Sequence, residues 1–236
     1  MDLDLDFMYE TFFKILGGIS TTLELTILSL LLAAPIAFYM AVLRLNDAKI
    51  SSGAVRVYVS FVRGTPIILQ ILLLYSLLPS VLNTIVQTLG INFNVFDAMD
   101  PFFYAVVVFS LNTIALLSEV FRSALISISK GQLEAGLSIG LTRFQVYIHV
   151  IIPQAMVVAL PNICNITVNL IKGTSLAFLM TVKDVLAIGK IAASFGYNYI
   201  EAYIDVFFVY IILCTIIQVL YTAAESKIST FRAMHV

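Results

Sequence analysis

Four polar residues fall on one line in an otherwise apolar stretch: Asn162, Asn165, Asn169 and Lys172, at i, i+3, i+7 and i+10. That spacing places them on a single face of a helix. Asparagine offers donors and acceptors without fixed charge, so such a face can replace part of the water around a polar solute and still release it. The stripe runs into Lys172-Gly173-Thr174-Ser175, where a glycine interrupts the helix and exposes backbone groups beside two hydroxyls. The competing reading is hydrogen bonding between helices of a bundle, which uses asparagine in the same way.

Glu119 and Arg122 stand three residues apart and share a helix face. An ionisable residue at bilayer depth costs about 2.5–3.5 kcal/mol unless paired or wet. The two therefore read either as a structural or gating ion pair, or as interfacial residues that snorkel. Glu201 and Asp205 open the last apolar run, where a carboxylate can attract an ammonium group or simply sit in water. Other chemistry is missing. No GxxxxGK[ST] phosphate loop occurs, since the nearest dipeptide, Gly189-Lys190, is followed by Ile191. The two histidines, His149 and His235, do not suggest a haem or catalytic metal, and Cys164 and Cys214 lie inside apolar runs where a small buried side chain is the plain reading. No catalytic residue, metal site or cofactor is expected on this chain.

The elements that must position these groups face lipid. The 236 residues are 61% hydrophobic and 11% charged, whereas a soluble domain is about 45–50% apolar and about 25% charged. Nucleic acid is excluded as a partner, because the net charge is −1 and no basic arm or stripe exists to neutralise phosphates. The sequence predicts an all-α membrane protein of about five transmembrane helices in a single domain, with spans near 20–43, 66–89, 102–129, 150–171 and 203–224. Pro35 is tolerable inside the first, and Thr65 and Pro66 read as the N-cap and first helical residue of the second. Asp2, Asp4, Asp6 and Glu10 precede the first run, so it lacks the basic leader of a signal peptide and should remain as an anchor. Placing the N-terminus outside and the C-terminus in the cytoplasm gives nine Lys and Arg to the cytoplasmic loops and four to the outer ones. Residues 172–202 break that rule with Lys172, Lys183 and Lys190, and their short glycine-bounded apolar pieces read as re-entrant structure.

Between the third and fourth spans, in the loop 130–149, Leu133, Leu137 and Leu141 with Ile139 and Phe144 make a short amphipathic helix. By composition this is a linker helix. Its Glu134-Ala135, the glycine six residues beyond the glutamate at Gly140, and Pro153 after a further apolar stretch together resemble the EAA loop of bacterial ABC importer permeases. Gly136 stands where that family usually has a second alanine, and Val150 and Ile152 replace its isoleucine and leucine. Thr21-Thr22-Leu23-Glu24-Leu25-Thr26, Phe61-Val62-Arg63-Gly64-Thr65-Pro66, Ser118-Glu119-Val120-Phe121-Arg122 and Lys130-Gly131-Gln132 resemble, in order, motifs of its polar amino-acid branch. Lys172-Gly173-Thr174-Ser175-Leu176 is similar to that branch's KDTSL, with Gly173 in place of aspartate.

The resemblance covers roughly residues 20 to 225 and implies a type I importer permease in a bacterial cytoplasmic membrane, crossing it several times. It implies that Glu134, Ala135, Gly136, Gly140 and Arg143 couple to two cytoplasmic ATPase subunits, which carry ATP and Mg. A second permease copy, an extracellular binding protein and a polar amino acid complete the implied assembly. The stripe itself reads as the solute pathway, with Asn162, Asn165, Asn169, Lys172, Thr174 and Ser175 along it, and a pathway richer in asparagine than in fixed charge suits an uncharged solute such as cystine. Without the resemblance, an ion-coupled secondary transporter or an oligomeric channel would remain open, although a secondary transporter usually shows an internal repeat and intramembrane carboxylates, and neither is clear here.

Overall fold

The computed structural model describes residues 3–45, 49–91 and 100–233, so Asp2 and His235 lie outside the described residues. Every regular element among them is helical. In chain order these are α1 (Leu5–Leu16), α2 (Ile19–Leu45), α3 (Lys49–Gly64), α4 (Ile67–Thr88) and α5 (Pro101–Ser127), followed by α6 (Lys130–Ser138), α7 (Arg143–Val146), α8 (Ile152–Gly173), α9 (Val185–Ala193) and α10 (Tyr199–Ala233). Five stretches are long and apolar enough to cross a membrane: Leu5–Leu45, Ile67–Thr88, Pro101–Ser127, Arg143–Met180 and Tyr199–Ile228. Each overlaps one of the five apolar runs of the sequence, although the first begins at Leu5, because α1 precedes α2, and the fourth extends from Arg143 to Met180.

Helix α5 is the hub, with 61% of its most apolar window buried against 11–33% for the other four. Its closest neighbour is α2, which turns a line of small residues toward it. Thr22, Thr26, Ser29, Ala33, Ala37 and Ala41 are all buried, and the last three pack with Ile114, Leu117, Phe121 and Ala124 of α5. Small side chains let two helix backbones approach, which substitutes for the hydrophobic driving force that lipid does not supply. Thr26 returns its hydroxyl to the Thr22 carbonyl at 2.8 Å, which satisfies its own donor.

Residues 49–64 are not a loop. They form α3, whose Val55, Val59 and Val62 pack against Ala115 of α5 while Arg56, Ser60 and Arg63 stay exposed. Helix α4 then continues beyond a short break at Gly64-Thr65-Pro66. Asn112 of α5, which bonds to Gln70 just past this break, lies about 17 Å from one end of α5 and about 22 Å from the other at 1.5 Å per residue. The second passage is thus a helix pair, α3 and α4, broken just before Gln70 meets α5, and α4 alone is long enough to cross. Pro66 itself occupies the N-cap of α4 and supplies no side-chain bond. Thr65 is not that cap, because its hydroxyl donates back to the Phe61 carbonyl at 2.9 Å. The third span ends at Ser127, two residues short of the sequence reading, because Ser129 caps α6.

A π-helical turn, Tyr147–Ile151, leads into α8, and the Ile152 N–H reaches the Tyr147 carbonyl five residues back. Pro153 follows at once; lacking an N–H, it cannot close an ordinary turn on the carbonyl of residue 149, and the wider turn absorbs the misfit. Beyond α8, a 3-10 segment, Thr174–Met180, and the nine-residue α9 fold back onto the bundle without crossing it. Met180 and Val182 enter the core with Leu25, Ile71 and Phe109, and Val185 packs with Ile15 of α1 and with Val206 and Val209 of α10.

Candidate functional site

Both ends of α6 are closed by local bonds. Ser129 accepts the Gly131 N–H at 3.3 Å. At the other end Gly140 adopts φ +88°, the Gly140 N–H donates to Leu137 O and the Leu141 N–H to Gly136 O, both at 3.1 Å. This six-to-one and five-to-two pairing requires a left-handed residue at Gly140, where any Cβ is strained. The next turn opens with a capping box in which Thr142 and Gln145 satisfy each other's backbone N–H groups at 2.8 and 3.3 Å. Gly136 is the only buried residue of α6, and a Cβ there would lie 2.5 Å from Val146 Cγ2. Glycine is therefore what allows α6 to fold down upon α7.

The opposite face of this hairpin is open. Glu134, Ala135 and Arg143 are exposed, and so are Leu137, Ile139 (78%) and Phe144 (73%). Exposed apolar side chains around an unpaired carboxylate, on a rigid turn at one end of the bundle, have the composition of a docking knob.

Glu119 and Arg122 do pair, and a third residue joins them. Arg122 donates through Nε and Nη2 to Glu119 Oε2 at 3.1 and 2.9 Å, while Arg44 Nη1 of α2 donates to Oε1. All three side chains are half-buried. The network clamps α2 to α5 at the end of the bundle nearer α6, and it edges a cavity of ≈ 480 Å³ that Arg56 and Arg63 also line. Arg44 was not legible as a partner, because it lies 75 residues away.

Gln70 was likewise missed. Its Nε2 lies 2.9 Å from Val62 O, 3.1 Å from Thr65 O and 2.8 Å from Thr65 Oγ1, and its Oε1 accepts from Asn112 Nδ2 at 3.0 Å. One amide thus satisfies carbonyls that the break between α3 and α4 leaves open, which backbone at membrane depth requires. The signal was present in principle: Gln70 and Asn112 are isolated amides in apolar runs.

Asn162, Asn165, Asn169 and Lys172 share one exposed face of α8, and none bonds to another side chain among the described residues. The bundle's own interior is thus not what they serve. Ser175 is half-buried and donates to Lys172 O at 2.7 Å, whereas Thr174 is fully buried with its hydroxyl on Ile171 O, so Thr174 stands apart from that face. Asp205 is 4% exposed, with Oδ2 lacking a hydrogen-bond partner among the described residues, and is no interfacial attractor. Glu201 accepts the Asp4 N–H at 3.4 Å, tying α10 to the start of α1. No cluster of metal-binding side chains occurs among the described residues.

This geometry describes a helical membrane bundle that carries a rigid, partly apolar turn at one end and a broken helix pair within. The family of binding-protein-dependent transport system inner membrane components matches residues 33–230, and the chain belongs to it: it is the permease component of an ABC importer. The probable amino-acid permease YxeN of Bacillus subtilis is 34% identical over 227 residues, 96% of each chain. The L-cystine transport system permease TcyB of the same organism is 34% identical over 230 residues, 97% of this chain and 92% of that one. A crystal structure of an amino acid ABC transporter with histidines superposes with a TM-score of 0.79 at 25% identity, covering 96% of this chain and all of that one. The MetNI methionine transporter shares the fold, at 16% identity and a TM-score of 0.67, covering 96% of this chain and 99% of that one. As a membrane component of this family the chain crosses the bacterial inner membrane several times and is not an enzyme; ATP is hydrolysed on a separate subunit.

Proposed function

We propose that the chain carries polar amino acids into the cell by alternating access, as one of two permease copies coupled to two cytoplasmic ATPases that bind ATP and Mg. The observation that carries this is the α6–α7 turn, closed at both ends, with Glu134, Ala135 and Arg143 on its open face and Gly136 and Gly140 shaping it. A lever must be stiff to pass on a motion, and this one is. An external binding protein delivers the solute to the opposite end of the bundle, where α1 and α9 lie. The nine-to-four distribution of basic residues favours that end, and the N-terminus with it, as the outer one.

The exposed stripe Asn162, Asn165, Asn169 and Lys172, continuing to Ser175, lines the solute pathway at the boundary with the second copy. Glu119 and Arg122, with Arg44, hold α2 and α5 together at the cytoplasmic end. The named functions of the relatives, amino-acid uptake in general and L-cystine uptake in TcyB, support an amino acid as the solute. Reconstitution with the ATPase and binding protein tests the scheme: Glu134→Lys and Gly140→Asp leave the subunit inserted but abolish uptake. Wild-type uptake by both variants would refute the coupling role.

A further inference from the structure

Cytoplasmic loops, not outer ones, collect basic residues. Under the orientation proposed above, two lysines of the outer segment converge on one cleft between the 3-10 segment and α9. It encloses ≈ 390 Å³ and is lined by Phe178, Thr181, Lys183, Lys190, Ile191 and Ser194. The Lys190 ammonium sits 3.8 Å above the Phe178 ring centroid, so the ring holds it in place without neutralising it. Neither lysine makes an ion pair among the described residues.

The neighbouring carboxylate is turned away. Asp184 is fully buried; its Oδ1 accepts the Ala187 N–H at 2.9 Å and its Oδ2 the Tyr210 hydroxyl at 3.0 Å. The walls are fixed as well. Thr181 stands at φ +61°, a costly conformation for a β-branched residue, and Met180 and Val182 on either side of it are anchored in the core. The result is a preorganised concavity with two positive charges, an aromatic wall and a hydroxyl, but no acid to receive an ammonium group.

We propose that this cleft is the outer acceptor site of the permease, taking the carboxylate end of an amino acid of zero or negative net charge as it leaves the binding protein. Lys183 and Lys190 bind the carboxylate, Phe178 and Ile191 meet the aliphatic part, and a cationic amino acid is repelled. The inference rests on the permease reading and narrows its substrate class.

The test uses proteoliposomes holding the complete transporter, with binding protein and radiolabelled L-cystine, L-glutamate, L-serine and L-arginine. The wild type imports one or more of the first three and excludes L-arginine. Lys183→Gln with Lys190→Gln raises the apparent KM for the imported solute at least about tenfold, with ATP hydrolysis within about twofold of wild type, and Lys190→Arg retains most of the affinity. Import with unchanged KM in the double variant, or efficient import of L-arginine by the wild type, would overturn the site while leaving the permease reading intact. Weaker docking of the unliganded binding protein on the double variant would overturn it too, making the lysines protein contacts. Import of no amino acid by the wild type would overturn both.

Discussion

Adding one methyl group at Gly136 places a carbon 2.5 Å from Val146 Cγ2 and 3.1 Å from Cγ1, contacts too short to stand unless the fully buried Val146 or the backbone shifts. Overpacking of this kind costs about 1–3 kcal/mol. Replacing glycine by alanine inside a helix returns roughly 0.5–1 kcal/mol. Gly136→Ala is therefore expected to loosen the α6–α7 turn by up to about 2 kcal/mol, a factor of up to about 30 in the population of its native form. Because the turn is local, thermal unfolding of the bundle should change little. The loss should appear in uptake and in binding-protein-stimulated ATP hydrolysis in proteoliposomes, and as faster amide exchange across residues 135–146. Val146→Ala alone opens a small cavity, yet in the double variant it should restore part of the activity lost at Gly136. Fully active Gly136→Ala, or a double variant whose losses simply add, would refute the steric account.

Gln70→Leu strands the carbonyls of Val62 and Thr65 and the amide of Asn112, and should lower stability in detergent by about 1–3 kcal/mol; an unchanged Tm would count against the capping role. For orientation, with Cys164 and Cys214 first replaced by serine, a membrane-impermeant thiol reagent on intact cells should reach Ser194→Cys and not Ser138→Cys, and the opposite pattern would invert the topology. Asn165→Leu and Asn169→Leu should alter solute preference or KM while basal ATP hydrolysis persists. Unchanged uptake of every amino acid would remove the stripe from the pathway.

Local patterns were legible and long-range ones were not. The five apolar runs, the Glu119–Arg122 pair and the stripe from Asn162 to Lys172 each depend on spacing within one helix, and each stands where its spacing put it. By hydropathy α3 reads as a loop, because Arg56, Arg63 and the serines at 51 and 52 lower it, although Val55, Val59 and Val62 carry its helical period. Gly136 is similar: a small residue at that point of the motif was readable, but the need for glycine in place of alanine arises from Val146, ten positions on. Asp205 reads as interfacial because its burial comes from tertiary packing around α10, which nothing in the last apolar run discloses. Arg44 and Gln70 owe their roles to α5, brought to them only by the fold.

The break between α3 and α4 also bears on how the chain is made. Helix α4 has the 22 residues and apolarity of an independent insertion unit, whereas α3, with exposed Arg56 and Arg63, does not. Met40 and Leu43 of α2 cover part of the α3 valines, but Ala115, which completes the cover, is on α5, and the Tyr58 hydroxyl bonds to a carbonyl 53 residues downstream. At roughly 5–20 residues per second, a ribosome delivers that surface several seconds after α3 emerges. During that interval α3 has the form of an amphipathic helix suited to the lipid headgroups, with its valines toward the acyl chains and Arg56 and Arg63 along its side. Its sequence thus satisfies two environments in succession, the interface during synthesis and the flank of α5 afterwards.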